Sequence, residues 1–164
     1  MTQGTHIGPS PRVYGVAIHD RAVLLVRAAN PHDGQEIWWL PGGGIDWGES
    51  PIQTLEREFI EETGLTVLRH QLHSVVDDQR VRPNGEHVHT VRIVYVTTVA
   101  VAPLQHEAGG TTDFVTWAPL AELENYRLAA YAKTAIDQVS TLLRSTEHSE
   151  SNPSLAPFRE AAAF

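Results

Sequence analysis

Three carboxylates within five residues, Glu58, Glu61 and Glu62, are the side chains of this sequence best placed to do chemistry. They fall in the stretch GGIDWGESPIQTLEREFIEETGL, Gly43 to Leu65, whose second half reads as one helix. Glu58 stands three residues before Glu61 and four before Glu62, so all three share one narrow helical arc where like charges repel. They also crowd the last two turns, at the negative end of the helix dipole, where carboxylates are mildly unfavourable. Something positive should sit against that arc. Arg57, four residues before Glu61, can pair with it, and this spacing leaves Glu58 and Glu62 unneutralised. Most acidic helices are solvated surface. Here the charges gather at the wrong helix end, beside a glycine-rich loop that presents bare backbone. Hard oxygen ligands without His or Cys suit Mg²⁺ or Mn²⁺, which in turn bind phosphate oxygens.

The helix has its own start and stop. Ser50 can cap it, Pro51 suits the first helical position, and Gln53 completes a capping box. Ile52, Leu55 and Phe59 form the expected buried face, and Gly64 ends the helix so that Leu65 folds back onto Ile60. Before it, Val13 to His19 and Ala22 to Ala28 are apolar runs separated by His19-Asp20-Arg21, a hairpin pattern. Ile37 to Leu40 is a short strand stopped by Pro41, and Gly42, Gly43 and Gly44 follow as a loop. After it come a strand around Leu72 to Asp77, a turn at Asn84-Gly85, and the strong strand pattern of Val88 to Val101. Asp113 to Trp117 is a last strand, and Pro119 opens a short helix through Leu123. Arg127 to Arg144 carries Leu128, Tyr131, Ala132, Ala135, Ile136, Val139, Leu142 and Leu143 on one face, a helix packed on a sheet. The layout is α+β: two long helices against a mixed sheet.

The 164 residues suit one domain, read as a flexible N-terminal tail (1–11), a folded body (12–144) and a C-terminal tail (145–164) able to dock through Leu155, Phe158 or Phe164. There is no signal-peptide pattern and no apolar run long enough to span a bilayer, so the cytoplasm is the default and no membrane partner is expected. With no cysteine, disulfides, thiolate metal sites and Cys nucleophiles are excluded. A formal net charge of -8 argues against polymeric nucleic acid but not against a small phosphorylated substrate, because a metal can supply positive charge locally. No oligomeric state is readable from the pattern, and a homodimer is compatible with it.

At this point the residues resemble a family. Gly43, Glu49, Arg57-Glu58-Phe59, Glu61-Glu62 and Gly64-Leu65 match the Nudix box at every defined position, with Trp38, Leu40, Pro41 and Gly42 as the usual lead-in. The resemblance implies an α/β/α sandwich with a mixed sheet between helices. It also implies hydrolysis of the pyrophosphate bond in a nucleoside diphosphate linked to another group, with Mg²⁺, or Mn²⁺ in its place. Carried over by position, Glu58, Glu61 and Glu62 hold metal, the carbonyl of Gly42 or Gly43 adds a ligand, Arg57 orients a box glutamate, and Glu49 supports the site from the loop. Glu58 or Glu61 is the general base, or else a residue of a later loop, for which Glu107 and Asp113 are placed; each of these is as readily a plain surface acid.

Other residues weigh less. Arg27 can contact phosphate or be a strand-end charge, and Trp39 can stack on a base while Trp38 goes to the core. Arg80 and Arg82 can steer an anion or flank a turn. His87 and His89 share a strand face but lack a third ligand. The Pro or Tyr spacing that marks the ADP-ribose and dinucleoside polyphosphate subfamilies is absent, Pro83 coming late for the former; the short size and single domain lean toward a nucleoside triphosphate or other small nucleotide. The competing reading is a non-catalytic module of the same fold that senses a nucleotide or docks a partner; such modules usually lose box glutamates, and none is missing here.

Overall fold

The computed structural model describes residues 9–29, 34–82, 84–106 and 109–148. Pro83, Glu107, and the tail residues 1–8 and 149–164 therefore lie outside the described residues.

Strands β1 (Ser10–His19) and β2 (Ala22–Ala28) meet at a two-residue turn. Asp20 and Arg21 both take positive φ there, 47° and 59°, the turn sense that matches the twist of the flanking strands. β1 and β2 read as near-continuous apolar runs because both of their faces are buried. Ser10 and Pro11 belong to β1 rather than to a tail, because β1 pairs in parallel with β6 (His87–Val99) from Ser10↔Thr90 to Ala17↔Thr97. The remaining strands are β3 (Trp38–Trp39), β4 (Gly42–Gly44), β5 (Val67–Val81) and β7 (Thr112–Pro119). The main path of the sheet runs β3-β2-β1-β6-β5, with β4 added antiparallel to β1 and β7 antiparallel to β2.

Two strands, β4 and β5, differ from the sequence pattern by more than their ends. The three glycines expected in a loop are strand β4, paired with Arg12–Tyr14; a strand of glycines has no side-chain alternation to reveal it. β5 is fifteen residues long rather than a short strand around Leu72 to Asp77, since it is held by its pairing with β6 while most of its side chains stay exposed.

Helix α1 (Pro51–Thr63) covers one face of the sheet and helix α2 (Ala130–His148) the other. The α1 face buries Val13, Ala17, Leu24, Val26, Leu55, Phe59 and Leu65. The α2 face buries Tyr14, Val16, Val23, Leu25, Trp38, Ala132, Ile136 and Val139. Alternate residues of β1 and β2 thus feed opposite cores, which makes the α/β/α sandwich. A 3-10 helix, Leu120–Asn125, follows β7. α2 starts later than its apolar period implies: Trp38 N–H donates to the Arg127 carbonyl and Ala129 N–H to the Trp38 carbonyl, both at 2.9 Å, so residues 127–129 run beside β3 instead. It also ends later, at His148, so residues 145–148 are helix and not tail. Leu142 lies off the buried face, at 57% exposure. Among the described residues no helix is long and apolar enough to cross a membrane.

Candidate active site

The acidic end of α1 is held in place from both termini. Gln53 N–H donates to Ser50 Oγ and Ser50 N–H to Gln53 Oε1 (3.3 and 2.8 Å), the two halves of the capping box, with Pro51 in the first position. At the other end Gly64 takes a left-handed φ of 74° and its N–H reaches the Ile60 carbonyl at 3.0 Å. Leu55 and Phe59 are fully buried, whereas Ile52 is only half-buried. Leu65 packs into the core with Phe59, and Ile60, its expected partner, stays 56% exposed.

Arg57 is the hub of the site. Its Nε and Nη2 donate to the two oxygens of Glu49 at 2.8 and 2.9 Å. Its Nη1 donates to both Glu58 Oε1 and Glu61 Oε2, at 2.9 and 3.1 Å, and Nη2 also reaches the Gly44 carbonyl at 3.3 Å. The expected Arg57–Glu61 pair is therefore present, but Glu58 is not left unneutralised: the same nitrogen holds both carboxylates. Arg57 first, and then the Thr54 hydroxyl at 2.7 Å, pull the Glu49 carboxyl down to about 2. Glu49 in turn raises the Arg57 guanidinium above its ordinary value, outweighing the opposing effect of desolvation. A bidentate fork of this kind fixes orientation as well as charge.

Glu62 is different. Its side chain is 2% exposed, and its Oε2 accepts the Gly42 N–H at 2.8 Å. The acidic end of α1 therefore lies directly against the glycine backbone of β4. Gly43 must be bare for this to happen, since a Cβ there would stand 2.2 Å from Glu58 Oε1. The donor set of carboxylates and backbone carbonyls fits a hard divalent cation. Among the described residues no three His, Asp or Glu side chains converge as a closed cage.

A cleft of about 720 Å³ lies under the N-terminal end of α2. Tyr14, which lines it, pairs across the sheet with Gly42, whose N–H holds Glu62. The cleft is half apolar, with Ile37, Trp39, Val94 and Tyr131 in its wall, and carries Arg80 and Arg92. Arg92, 9% exposed, forms an ion pair with Asp78 and lies 4.6 Å from the centre of the Tyr131 ring. Burial pushes the Tyr131 hydroxyl well above its ordinary value.

Of the sequence candidates, Glu49, Arg57, Glu58, Glu61, Glu62 and Gly43 come together, and Trp39 and Arg80 join the cleft. Arg27 and Asp113 do not. They bind each other, Arg27 Nε and Nη2 donating to the two Asp113 oxygens at 2.8 and 3.3 Å, while Arg27 Nη1 reaches Glu36 at 2.7 Å. Arg82 pairs with Glu86, and His89 with Asp77. Glu107 lies outside the described residues. Arg92, Asp78, Tyr14 and Tyr131 were not singled out from sequence: each sits in a strand or helix pattern where an apolar neighbour masks it, and only the pairing of β1, β6 and β5 with α2 packed on them assembles them.

The chain is similar to known proteins in sequence and in fold. An ADP-ribose pyrophosphatase of Methanocaldococcus jannaschii is 33% identical over 95 residues, 57% of this chain; the chain spans about half (53%) of that protein's length. A MutT NUDIX hydrolase from Burkholderia pseudomallei superposes with a TM-score of 0.70 at 27% identity, covering 81% of this chain and 99% of that one. The NUDIX domain of Shewanella oneidensis NrtR, solved with ADP ribose, gives a TM-score of 0.68 at 27% identity over 84% of this chain and 90% of that one. With the NUDIX domain model matching residues 9–139, the chain belongs to the Nudix family.

Proposed function

We propose that this protein is a divalent-cation-dependent pyrophosphohydrolase that cleaves the phosphoric anhydride of a nucleoside diphosphate linked to another group. The observation that carries this reading is the joint geometry of Glu58, Glu61 and Glu62 against β4: two carboxylates on one guanidinium nitrogen and a third buried on the Gly42 amide. Glu58, Glu61 and Glu62, with a carbonyl of β4, would hold Mg²⁺ or Mn²⁺. Such an ion, when bound, screens the phosphate oxygens and makes a water more acidic.

The chain's own residues do the rest. Arg57 orients Glu58 and Glu61, and one of these takes the proton of the attacking water as the P–O bond to the leaving phosphate breaks. Glu49 fixes Arg57. The cleft receives the nucleoside, its apolar wall taking the base and its arginines the polar edge or ribose phosphate. Relatives named for ADP-ribose support ADP-ribose as one substrate class to test, alongside nucleoside triphosphates.

The test is a panel of ADP-ribose, nucleotide sugars, dinucleoside polyphosphates and nucleoside triphosphates with Mg²⁺ and Mn²⁺, reading released phosphate, pyrophosphate and nucleoside monophosphate. Metal-dependent turnover of at least one is expected. Tight binding of a nucleotide with no product from any of them would instead identify a sensor module.

A further inference from the structure

Strand β5 ends the main path of the sheet: β6 is its neighbour on one side, and among the described residues no strand lies on the other. Most strands are about five or six residues, and long free edges are usually blunted by proline, charge or cover. β5 has fifteen residues, and its centre is apolar on the face that carries α1, with Leu72 and Val75 at 55% and 58% exposure.

The pairing of β5 with β6 slips by one residue between Leu72 and Ser74, with His73 as the extra residue. Side-chain alternation inverts there. Leu72 pairs with Tyr95 and Val75 with Ile93, both packed in the α1 core, so Leu72 and Val75 share the α1 face. Arg69 and Gln71 before the slip face α2, as do Ser74, Val76 and Asp78 after it, the last three lining the α2 cleft; His73 itself bonds Gln138 of α2 at 3.0 Å. His70 and Asp77 fall on the α1 face.

A second copy adding antiparallel to this edge about a two-fold axis must set like faces opposite each other. With the axis between His73 and Ser74, Leu72 meets Val75 of the second copy, His70 meets its Asp77, Arg69 its Asp78, and Gln71 its Val76. Leu72 with Val75 sets apolar against apolar, His70 with Asp77 and Arg69 with Asp78 set basic against acidic, and His73 of one strand meets Ser74 of the other. Sliding by two residues in one direction sets Arg69 against Arg80 and Leu72 against Asp77. Sliding the other way sets Arg69 against Val76 and His70 against Val75. Of these three registers, the strand is self-complementary in the first. We propose that β5 is the self-association edge of this protein, two copies joining β5 to β5 in this register to make one continuous sheet.

The absence of cysteine allows a direct test. Directly opposed residues of antiparallel strands have Cα atoms about 4.5–5.5 Å apart, within disulfide range. Oxidising a mixture of the Leu72→Cys and Val75→Cys single variants should give a covalent heterodimer. Leu72→Cys mixed with Gln79→Cys, on the same face but out of register, should give none. The unmodified full chain should sediment at twice 18.1 kDa, and Leu72→Lys with Val75→Lys, which sets like charges opposite, should weaken association roughly tenfold or more with the circular dichroism unchanged. A chain that stays monomeric to its solubility limit overturns the proposal; protection of β5 amides from exchange in that monomer would identify residues 149–164 as the cover instead. A dimer that the lysine variant leaves intact, or that crosslinks 72 to 79 as readily as 72 to 75, overturns it as well.

Discussion

The Glu62 carboxylate, 2% exposed, accepts the N–H of Gly42 at 2.8 Å and so ties the last turn of α1 to β4. A buried carboxylate is costly unless donors or cations meet it, and a buried amide left without an acceptor costs about 1–3 kcal/mol. Glu62→Gln keeps an acceptor for Gly42 and should shift unfolding stability little. Glu62→Ala removes the acceptor and should cost about 1–3 kcal/mol. Urea unfolding of the two variants side by side separates the charge from the tie; equal losses would show that the Gly42 contact contributes nothing.

Gly43→Ala should separate activity from stability in the opposite way. The three atoms nearest the added Cβ all belong to the Glu58 carboxylate, the far end of a flexible side chain that can swing aside. The melting temperature should stay close to that of the parent. Displacing Glu58 from Arg57 should cut turnover roughly a hundredfold, within the usual range for a group that takes part in proton transfer. Full activity in this variant would remove Glu58 from the account.

Glu49 gives a pH prediction. Arg57 and Thr54 depress its carboxyl from 4.5 to about 2 on folding, so the stability this contributes is present above the unfolded value and is lost as the pH falls toward the folded one. Thermal unfolding of the parent and of Glu49→Gln should differ most at neutral pH, and the difference should shrink between about pH 4.5 and pH 2. A difference that does not change with pH would show that the Glu49–Arg57 fork is not the linked group.

Gly15→Ala tests the seating of α1. A Cβ at Gly15 would stand 2.6 Å from the Phe59 ring, in a fully buried interface. Overpacking of this kind costs about 1–3 kcal/mol, and the α1 carboxylates should shift with the helix. An unchanged unfolding free energy would contradict this packing.

Much of this fold is legible in the sequence, and what is not has physical reasons. α1 declares itself because Ser50, Gln53 and Gly64 each act through local backbone chemistry that the sequence carries intact. The hairpin of β1 and β2 is equally plain, since burial on both faces leaves an apolar run. β4 is invisible because glycines have no pattern, and β5 nearly so because its exposed residues are held by backbone pairing. The carboxylate cluster is legible as a spacing, but the sharing of Arg57 between Glu58 and Glu61 is not, since it depends on rotamers. The Arg27–Asp113 pair spans 86 residues and forms only where β2 meets β7. The cleft is the least legible part, because Tyr14, Arg92 and Tyr131 come from three elements that only the tertiary fold brings together.

Arg92 offers a check on the cleft. It is buried on the cleft wall, paired with Asp78, and its Nε–H has no hydrogen-bond partner among the described residues. If it receives the nucleoside, Arg92→Met should raise KM about tenfold, equivalent to roughly 1.4 kcal/mol, and change kcat less. A fall in kcat at constant KM would place Arg92 outside substrate binding.

The central claim is that the acidic end of α1 works through a divalent cation on a pyrophosphate. The most direct measurement is product release from the best substrate of the panel by the parent and by Glu62→Gln, with Mg²⁺ and after its removal by a chelator. The account predicts turnover by the parent with Mg²⁺, its loss on chelation and recovery on adding Mg²⁺ or Mn²⁺ back, and little or none from folded Glu62→Gln. Turnover that survives chelation, or that Glu62→Gln retains in full, would contradict it.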